Sequence, residues 1–124
     1  MKKYELTSEV KVKFGVTFKR IRALIDFGNV KKGELGGFIE KEENLSHENN
    51  AWVYDDAKVY GNAEVSGNAR VYSDAWVYGN AKVYDDAWVY GNAWVYGNAR
   101  VSDDAEVSGN ARVSGNARVS GNAR

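Results

Sequence analysis

Residues 75–98 read AWVYGN-AKVYDD-AWVYGN-AWVYGN, and the same six-residue phrase runs without insertion or deletion from Ala51 to the end of the sequence. Its rule is Ala, a variable residue, Val, Tyr or Ser, a small or acidic residue, then Asn or Asp. Twelve complete phrases occur in a chain of 124 residues. A fixed short period marks a solenoid, and a six-residue period is that of a parallel β-helix. Within A-x-V-Y the side chains alternate, so Ala and Val share one face of a short strand, and x and Tyr/Ser the other. The constant apolar pair is predicted to point inward. The last two positions hold turn formers, and Asn and Asp tolerate left-handed backbone better than other non-glycine residues, which suits a corner.

Three such corners close a triangle, so three phrases make one coil of eighteen residues, and the regular part makes four coils. Strands about 4.8 Å apart give a prism about 20 Å tall. Each coil buries its Ala-Val edge only against its neighbours. Proline is absent, as uninterrupted ladders require.

Taking every third phrase lays out the outer faces. Face one carries Trp52/Tyr54, Arg70/Tyr72, Trp88/Tyr90 and Glu106/Ser108. Face two carries Lys58/Tyr60, Trp76/Tyr78, Trp94/Tyr96 and Arg112/Ser114. Face three, with Glu64, Lys82, Arg100 and Arg118, is polar. All four tryptophans are thus expected outside, on faces one and two. Tyr54, Tyr72 and Tyr90 should stack, as should Tyr60, Tyr78 and Tyr96, and Arg70 should be sandwiched between Trp52 and Trp88 by cation–π contacts. Ladders of this kind stabilise stacked strands by about 0.2–1 kcal/mol per pair. Exposed indoles in number also mark contact surfaces, and Trp, Tyr and Arg dominate interface hot spots.

Upstream, residues 1–33 alternate apolar and polar residues and read as an N-terminal β-hairpin cap. Val10, Val12 and Phe14 would line one face, Val16 and Phe18 another, with Gly15 at the turn. A terminal coil needs such a cap because an open end exposes core and backbone. Lys19, Arg20 and Arg22 read as the solvated face of a strand, or else as a phosphate contact. Residues 34–50 form a degenerate first coil. Ile39 and Leu45 are in phrase register, and two residues are inserted near His47 before Val53. Residues 51–124 are the regular β-helix, ending flush at Arg124 without a tail, so its last coil is expected to stay open, stack on a copy or meet a partner.

Three constellations hold potential chemistry. His47 is the sole histidine, and as a general base it would need a partner that spacing does not supply. Asp85, Asp86, Asp103 and Asp104 share one corner on consecutive coils, where a hard cation such as calcium would find oxygen ligands, or where the charges simply meet water. Arg70, Arg100, Arg112, Arg118 and Arg124 with the aromatic rings suit a nucleotide or single strand. Nine acidic residues against seven basic ones in the same repeats argue against nucleic acid. The net charge is zero, cysteine is absent, and the start MKKYELTSEV has no apolar leader. No segment is apolar enough to span a bilayer. A cytoplasmic location is the expectation. Thr7 and Thr17 are the only threonines, which excludes an ice-binding Thr ladder.

The repeat resembles the hexapeptide-repeat, left-handed parallel β-helix superfamily, which includes many acyltransferases. The block KKYELT…RIRALIDFGNVKKGELGGFIEKEENLSHENNAWVYDDA, over most of residues 2–57, resembles the amino-terminal region of YdcK-like acyltransferases and their short phage- and prophage-borne relatives. The resemblance implies a left-handed coil, an amino-terminal β cap and a bacterial or phage setting. In transferases of the superfamily, a histidine, a looped-out arm and a groove between trimer subunits do the work. These coils carry no inserted loop, and His47 precedes them. The expectation is therefore an all-β, left-handed parallel β-helix acting as a non-catalytic interaction protein. Its Trp/Tyr/Arg faces would bind a host factor, an immune one included, or a second copy as dimer or trimer, with no cofactor. An acyltransferase using His47 and a nucleotide- or sugar-binding sponge are the alternatives.

Overall fold

A computed structural model describes residues 2–121 of the chain; Arg124, the last of the repeat arginines, lies outside the described residues. From Ala51 onward the repeats form an all-β solenoid. Trp52–Val53, Arg70–Val71, Trp88–Val89 and Glu106–Val107 stack as one parallel sheet. Lys58–Val59, Trp76–Val77, Trp94–Val95 and Arg112–Val113 stack as a second, and Glu64–Val65, Lys82–Val83, Arg100–Val101 and Arg118–Val119 as a third. The phrases come back into line every third one. Each strand donates to the coil above, as in Trp52 N–H to Ala69 C=O (3.2 Å) and Tyr54 N–H to Val71 C=O (2.8 Å).

The repeat's Ala and Val do point inward. Every Ala from Ala51 to Ala105 and every Val from Val53 to Val101 is fully buried. In the last described coil Ala111 and Ala117 are exposed and Val113 and Val119 half-buried, since no further coil lies over them among the described residues.

The corners divide their labour between the last two positions. The N–H of the next alanine bonds back to the carbonyl of position four, as from Ala57 to Tyr54 (3.1 Å). Position five, not six, takes the positive φ: Gly79 at 70°, and Asp55, Ser73, Asp85 and Asp103 at 56–62°. Glycine suits that position twice over, because a Cβ on Gly79 would lie 2.9 Å from Gly97 N. Position six stacks as an amide ladder, Asn62 to Asn80 to Asn98 to Asn116, each Nδ2 donating to the next Oδ1 at 3.2–3.3 Å.

The amino-terminal cap joins the tube edge-on. β1 (Tyr4–Lys13) and β2 (Val16–Ala23) form an antiparallel hairpin, β2 pairs antiparallel with β3 (Leu35–Ile39), and β3 runs parallel to Lys58–Val59. Seven strands thus make one sheet, with face two as its continuation. β3 can lie there because it carries Gly36 and Gly37. A Cβ on Gly36 would meet Val53 O at 2.6 Å and Trp52 Cε2 at 2.8 Å, and one on Gly37 would meet Ala57 O at 2.7 Å.

After β3 the chain makes one 3₁₀ turn, Glu42–Asn44. Ile39 stands over Val59 and Leu45 bridges Val65, which is the register of a first coil. The buried Asn44 holds this coil down. Its amide donates to Ala63 O (2.8 Å) and Gly61 O (3.2 Å), and its oxygen accepts from Lys41 N–H (3.0 Å) and Glu40 N–H (3.2 Å).

The hairpin's two faces meet different surroundings. Val10, Val12 and Phe14 are 50–82% exposed, whereas Phe18 is fully buried. The reason is that β2 lays Phe18 on the outer aromatics of face two, 5.3 Å from Tyr60 and 6.0 Å from Trp76. The basic run finds partners within the fold. Arg20 pairs with Glu9 (3.2 Å) and Asp56 (3.4 Å) and lies over the buried ring of Phe38 (4.6 Å), and Arg22 pairs with Glu5. No helix among the described residues is long and apolar enough to cross a membrane.

Candidate interaction surface

The four tryptophans occupy equivalent repeat positions, yet the cap sorts them. Trp52 is fully buried, contrary to its expected place outside. Phe27 packs on it at 5.2 Å and Tyr4 at 6.1 Å, with Gly36 against its ring. Its Nε1 has no hydrogen-bond partner among the described residues. Trp76 is half-buried beneath Phe14 (5.7 Å) and Phe18. Trp88 and Trp94 remain on the surface, Trp88 37% exposed and Trp94 less so.

This sorting breaks the expected Arg70 sandwich. Arg70 lies over Trp88 at 5.7 Å, but the cap occupies the space around Trp52. On face two, Trp76 and Trp94 are paired in register with tilted rings 6.3 Å apart, and Arg112 lies 4.5 Å over Trp94.

The phenol ladders form with one exception. Tyr60, Tyr78 and Tyr96 stack at 4.9 and 5.1 Å with rings within 7° of parallel, and Tyr72 stacks on Tyr90 at 4.9 Å. Tyr54 instead meets Tyr72 edge-on at 80°, because it packs partly against the core beside the cap. Burial pushes the Tyr54, Tyr60, Tyr72 and Tyr78 hydroxyls above their ordinary range, and for Tyr60, Tyr72 and Tyr78 the neighbouring phenol adds to it. Tyr90 donates to Glu106 Oε1 at 2.9 Å. Face three is polar, with a Lys82–Glu64 ion pair.

His47 is part of the cap's fastening. Its ring stacks on Tyr4 at 4.0 Å, Nδ1 accepts the Lys3 N–H (3.0 Å), and Nε2 donates to Glu42 Oε1 (2.9 Å). Both nitrogens are engaged, which leaves no free lone pair for a substrate proton. Hydrogen bonds from His47 and Lys2 hold the Glu42 carboxyl below its usual range. Beside it, Tyr4 donates to Leu45 O (2.6 Å), and the buried Lys3 amine donates to Ala51 O (2.6 Å). Burial lowers the Lys3 amine to about 8 and raises the Tyr4 hydroxyl.

The acidic corner is a backbone device. Asp85 Oδ2 accepts the Asp103 N–H (3.2 Å), Asp103 Oδ2 accepts the Gly121 N–H (3.0 Å), and Asp55 does the same for Ser73 (3.2 Å) on another corner. Asp86 accepts from Asn68 at 3.3 Å. No group of three His, Cys, Asp or Glu side chains among the described residues is placed to hold a metal ion, so Asp85, Asp86, Asp103 and Asp104 do not converge as a calcium site requires.

Lys3, Tyr4, Gly36, Gly37 and Asn44 were not singled out by sequence reasoning, although they position everything else. The Gly-Gly pair inside a strand was the available signal, since such glycines mark close backbone approach.

The fold and its surface define a class, the β-solenoid repeat proteins. Within it, residues 63–79, 81–97, 93–109 and 105–121 match the YdcK β-solenoid repeat. Over 63 residues it is 36% identical to the "Uncharacterized acetyltransferase YdcK" of Escherichia coli (strain K12), a match covering 44% of this chain and 19% of that protein. The chain therefore aligns with about a fifth of that relative's length.

Proposed function

We propose that this chain is a non-catalytic interaction module that docks a protein partner on the strip of faces one and two that the cap leaves open. The observation that carries this reading is the surface left after Trp52 and Trp76 are covered: Trp88 under Arg70 and Trp94 under Arg112, flanked by stacked tyrosines. Rigid rings with a guanidinium over them are the anchors that dominate interfaces, since little side-chain freedom is lost on binding. In the bacterial or phage cytoplasm that the amino-terminal resemblance suggests, such a module would block a host factor by covering its surface. Self-association through the same strip is the competing occupant.

The test is capture from bacterial lysate by the wild-type chain and by Trp94→Ser, with light scattering of each. Trp94 is chosen over Trp76 because Trp76 also supports the hairpin. The reading expects a protein retained by the wild type and lost by the variant at unchanged circular dichroism. Equal capture by both, or capture by neither, overturns it, and a change of mass alone transfers the surface to self-association.

A second reading, acetyl transfer, is favoured by the name of the YdcK relative. The engagement of both His47 nitrogens speaks against it. Turnover of acetyl-CoA by the wild type that disappears in His47→Gln would establish it.

A further inference from the structure

Where the cap ends on face one, a groove of about 220 Å³ opens between Tyr54, Asp55, Arg70, Tyr72, Trp88 and the cap residue Asn29. We propose that this groove binds a free small molecule consisting of one planar ring bearing one anionic group, a carboxylate or a phosphate. The proposal goes beyond the protein-docking reading and does not depend on it.

The ring is argued from the walls. Tyr54, Tyr72 and Trp88 present aromatic surface, and Tyr72 meets Trp88 edge-on at 6.1 Å, which makes a concave apolar corner. The anion is argued from Arg70. Arg20 and Arg22 each have a carboxylate partner. The Arg70 guanidinium lies over Trp88 and has no hydrogen bond or ion pair among the described residues. A guanidinium carries five N–H donors and binds carboxylate or phosphate in a two-pronged geometry. Held against an indole, it loses little freedom on meeting an anion. At the rim Asn29 has amide donors to offer, whereas the Asp55 carboxylate only accepts, its Oδ2 already taking the Ser73 N–H, so the anion is expected on the Arg70 side of the groove.

Size limits the ligand. Pockets for drug-sized molecules are about 300–1,000 Å³, so this groove suits one substituted ring and not a peptide. Among the described residues the groove is not repeated along face one. Two coils beyond Arg70 on face one, Glu106 stands at the equivalent place and bonds Tyr90, so on this face the basic character stays with the coil beside the cap.

The experiment is calorimetric titration of the full chain with benzoate and phenyl phosphate. Benzyl alcohol supplies the ring without charge, and inorganic phosphate supplies charge without the ring. The proposal expects both ring anions to bind at least tenfold more tightly than either control. Arg70→Gln should weaken the ring anions at least tenfold while leaving benzyl alcohol unchanged, and Arg100→Gln on face three should bind like the wild type. Circular dichroism of each variant confirms the fold, and Arg70→Lys, which keeps the charge and loses the planar fork, should give an intermediate loss. Ring anions binding no better than the controls, or binding Arg70→Gln as tightly as the wild type, would overturn the proposal. Neither result would alter the lysate-capture outcome for Trp94→Ser.

Discussion

Trp52 and Trp88 hold the same position in the repeat, on the same face, separated only by the coil of Arg70. Trp52 is fully buried and Trp88 is 37% exposed. The repeat cannot tell them apart; the cap does. The rings and glycine that cover the Trp52 indole occur once each, Tyr4, Phe27 and Gly36, in a cap held by Lys3 and His47. Around Trp88 every contact comes from neighbouring repeats. The cap end is thus held by unique residues that cannot substitute for one another, and the coils by interchangeable ones. A solenoid concentrates its vulnerability at its terminus, and leaves its repeats free to vary their outer surface.

The sharpest break of this comparison is to truncate both tryptophans in turn. Trp52→Ala should cost about 3–5 kcal/mol, the usual loss for a large buried aromatic. Trp88→Ala should cost well under 1 kcal/mol, as surface changes generally do. Denaturant unfolding of both variants decides the matter. Equal losses would mean that the cap does not distinguish the two sites.

The second break is Gly36→Ala. The new Cβ would stand 2.6 Å from Val53 O and 2.7 Å from Ile21 Cγ1, and a backbone carbonyl cannot step aside. Overpacking of this kind costs about 1–3 kcal/mol. Hydrogen exchange should show faster opening of β1–β3 with the far coils unchanged, because coupling along a solenoid is nearest-neighbour. Uniform acceleration along the chain would refute that locality. A parallel change belongs to the coils. Gly79→Ala places a side chain at φ 70° and its Cβ 2.9 Å from Gly97 N; the backbone conformation alone costs about 1–2 kcal/mol, and the cap should not respond.

How much of this was legible follows from the same division. The tube, its three faces, the inward Ala-Val wall and the two phenol ladders could be read from periodicity, because each is stated about four times. The burial of Trp52 could not, since it depends on Phe27 and Tyr4 arriving from outside the repeat. Which face of the hairpin is inside was open in the sequence for a similar reason. Alternation separates two faces of a hairpin, but only the docking of Phe18 on Trp76 decides which is inside. His47 had no readable role for the reverse reason: its partners, Lys3 and Glu42, are identifiable only once the first coil has closed. The positive φ at position five was half-readable, since Gly recurs there, while Asp at the same position is explained by its bond to the next coil's N–H.

The smallest expected effect separates the two regions by pH. In the cap, Glu42 is hydrogen-bonded by His47 and Lys2, which lowers its pKa below the ordinary 4.5. The folded chain then holds this proton less tightly than the unfolded one. The resulting stability is fully present above pH 4.5 and is lost as the pH falls through the lowered value. Lys3, lowered to about 8 from 10.5, acts in the same direction at higher pH: the unfolded chain holds more protons between those values, so stability rises across that window. In the coils the sign reverses. Tyr60, Tyr72 and Tyr78 are raised above 10.0, so their contribution is present below that pH and is lost as pH rises through the raised values. Acid should therefore loosen the cap alone, whereas strong alkali should loosen the ladders and, through the raised Tyr4 hydroxyl, the cap as well. Glu42 is partly exposed and salt will screen it, so the acid effect is modest and best seen by difference. Glu42→Gln should flatten the fall in the unfolding midpoint below pH 4.5 and leave the alkaline limb in place, whereas a variant that follows the wild type throughout the acid range would remove Glu42 from the cap's fastening.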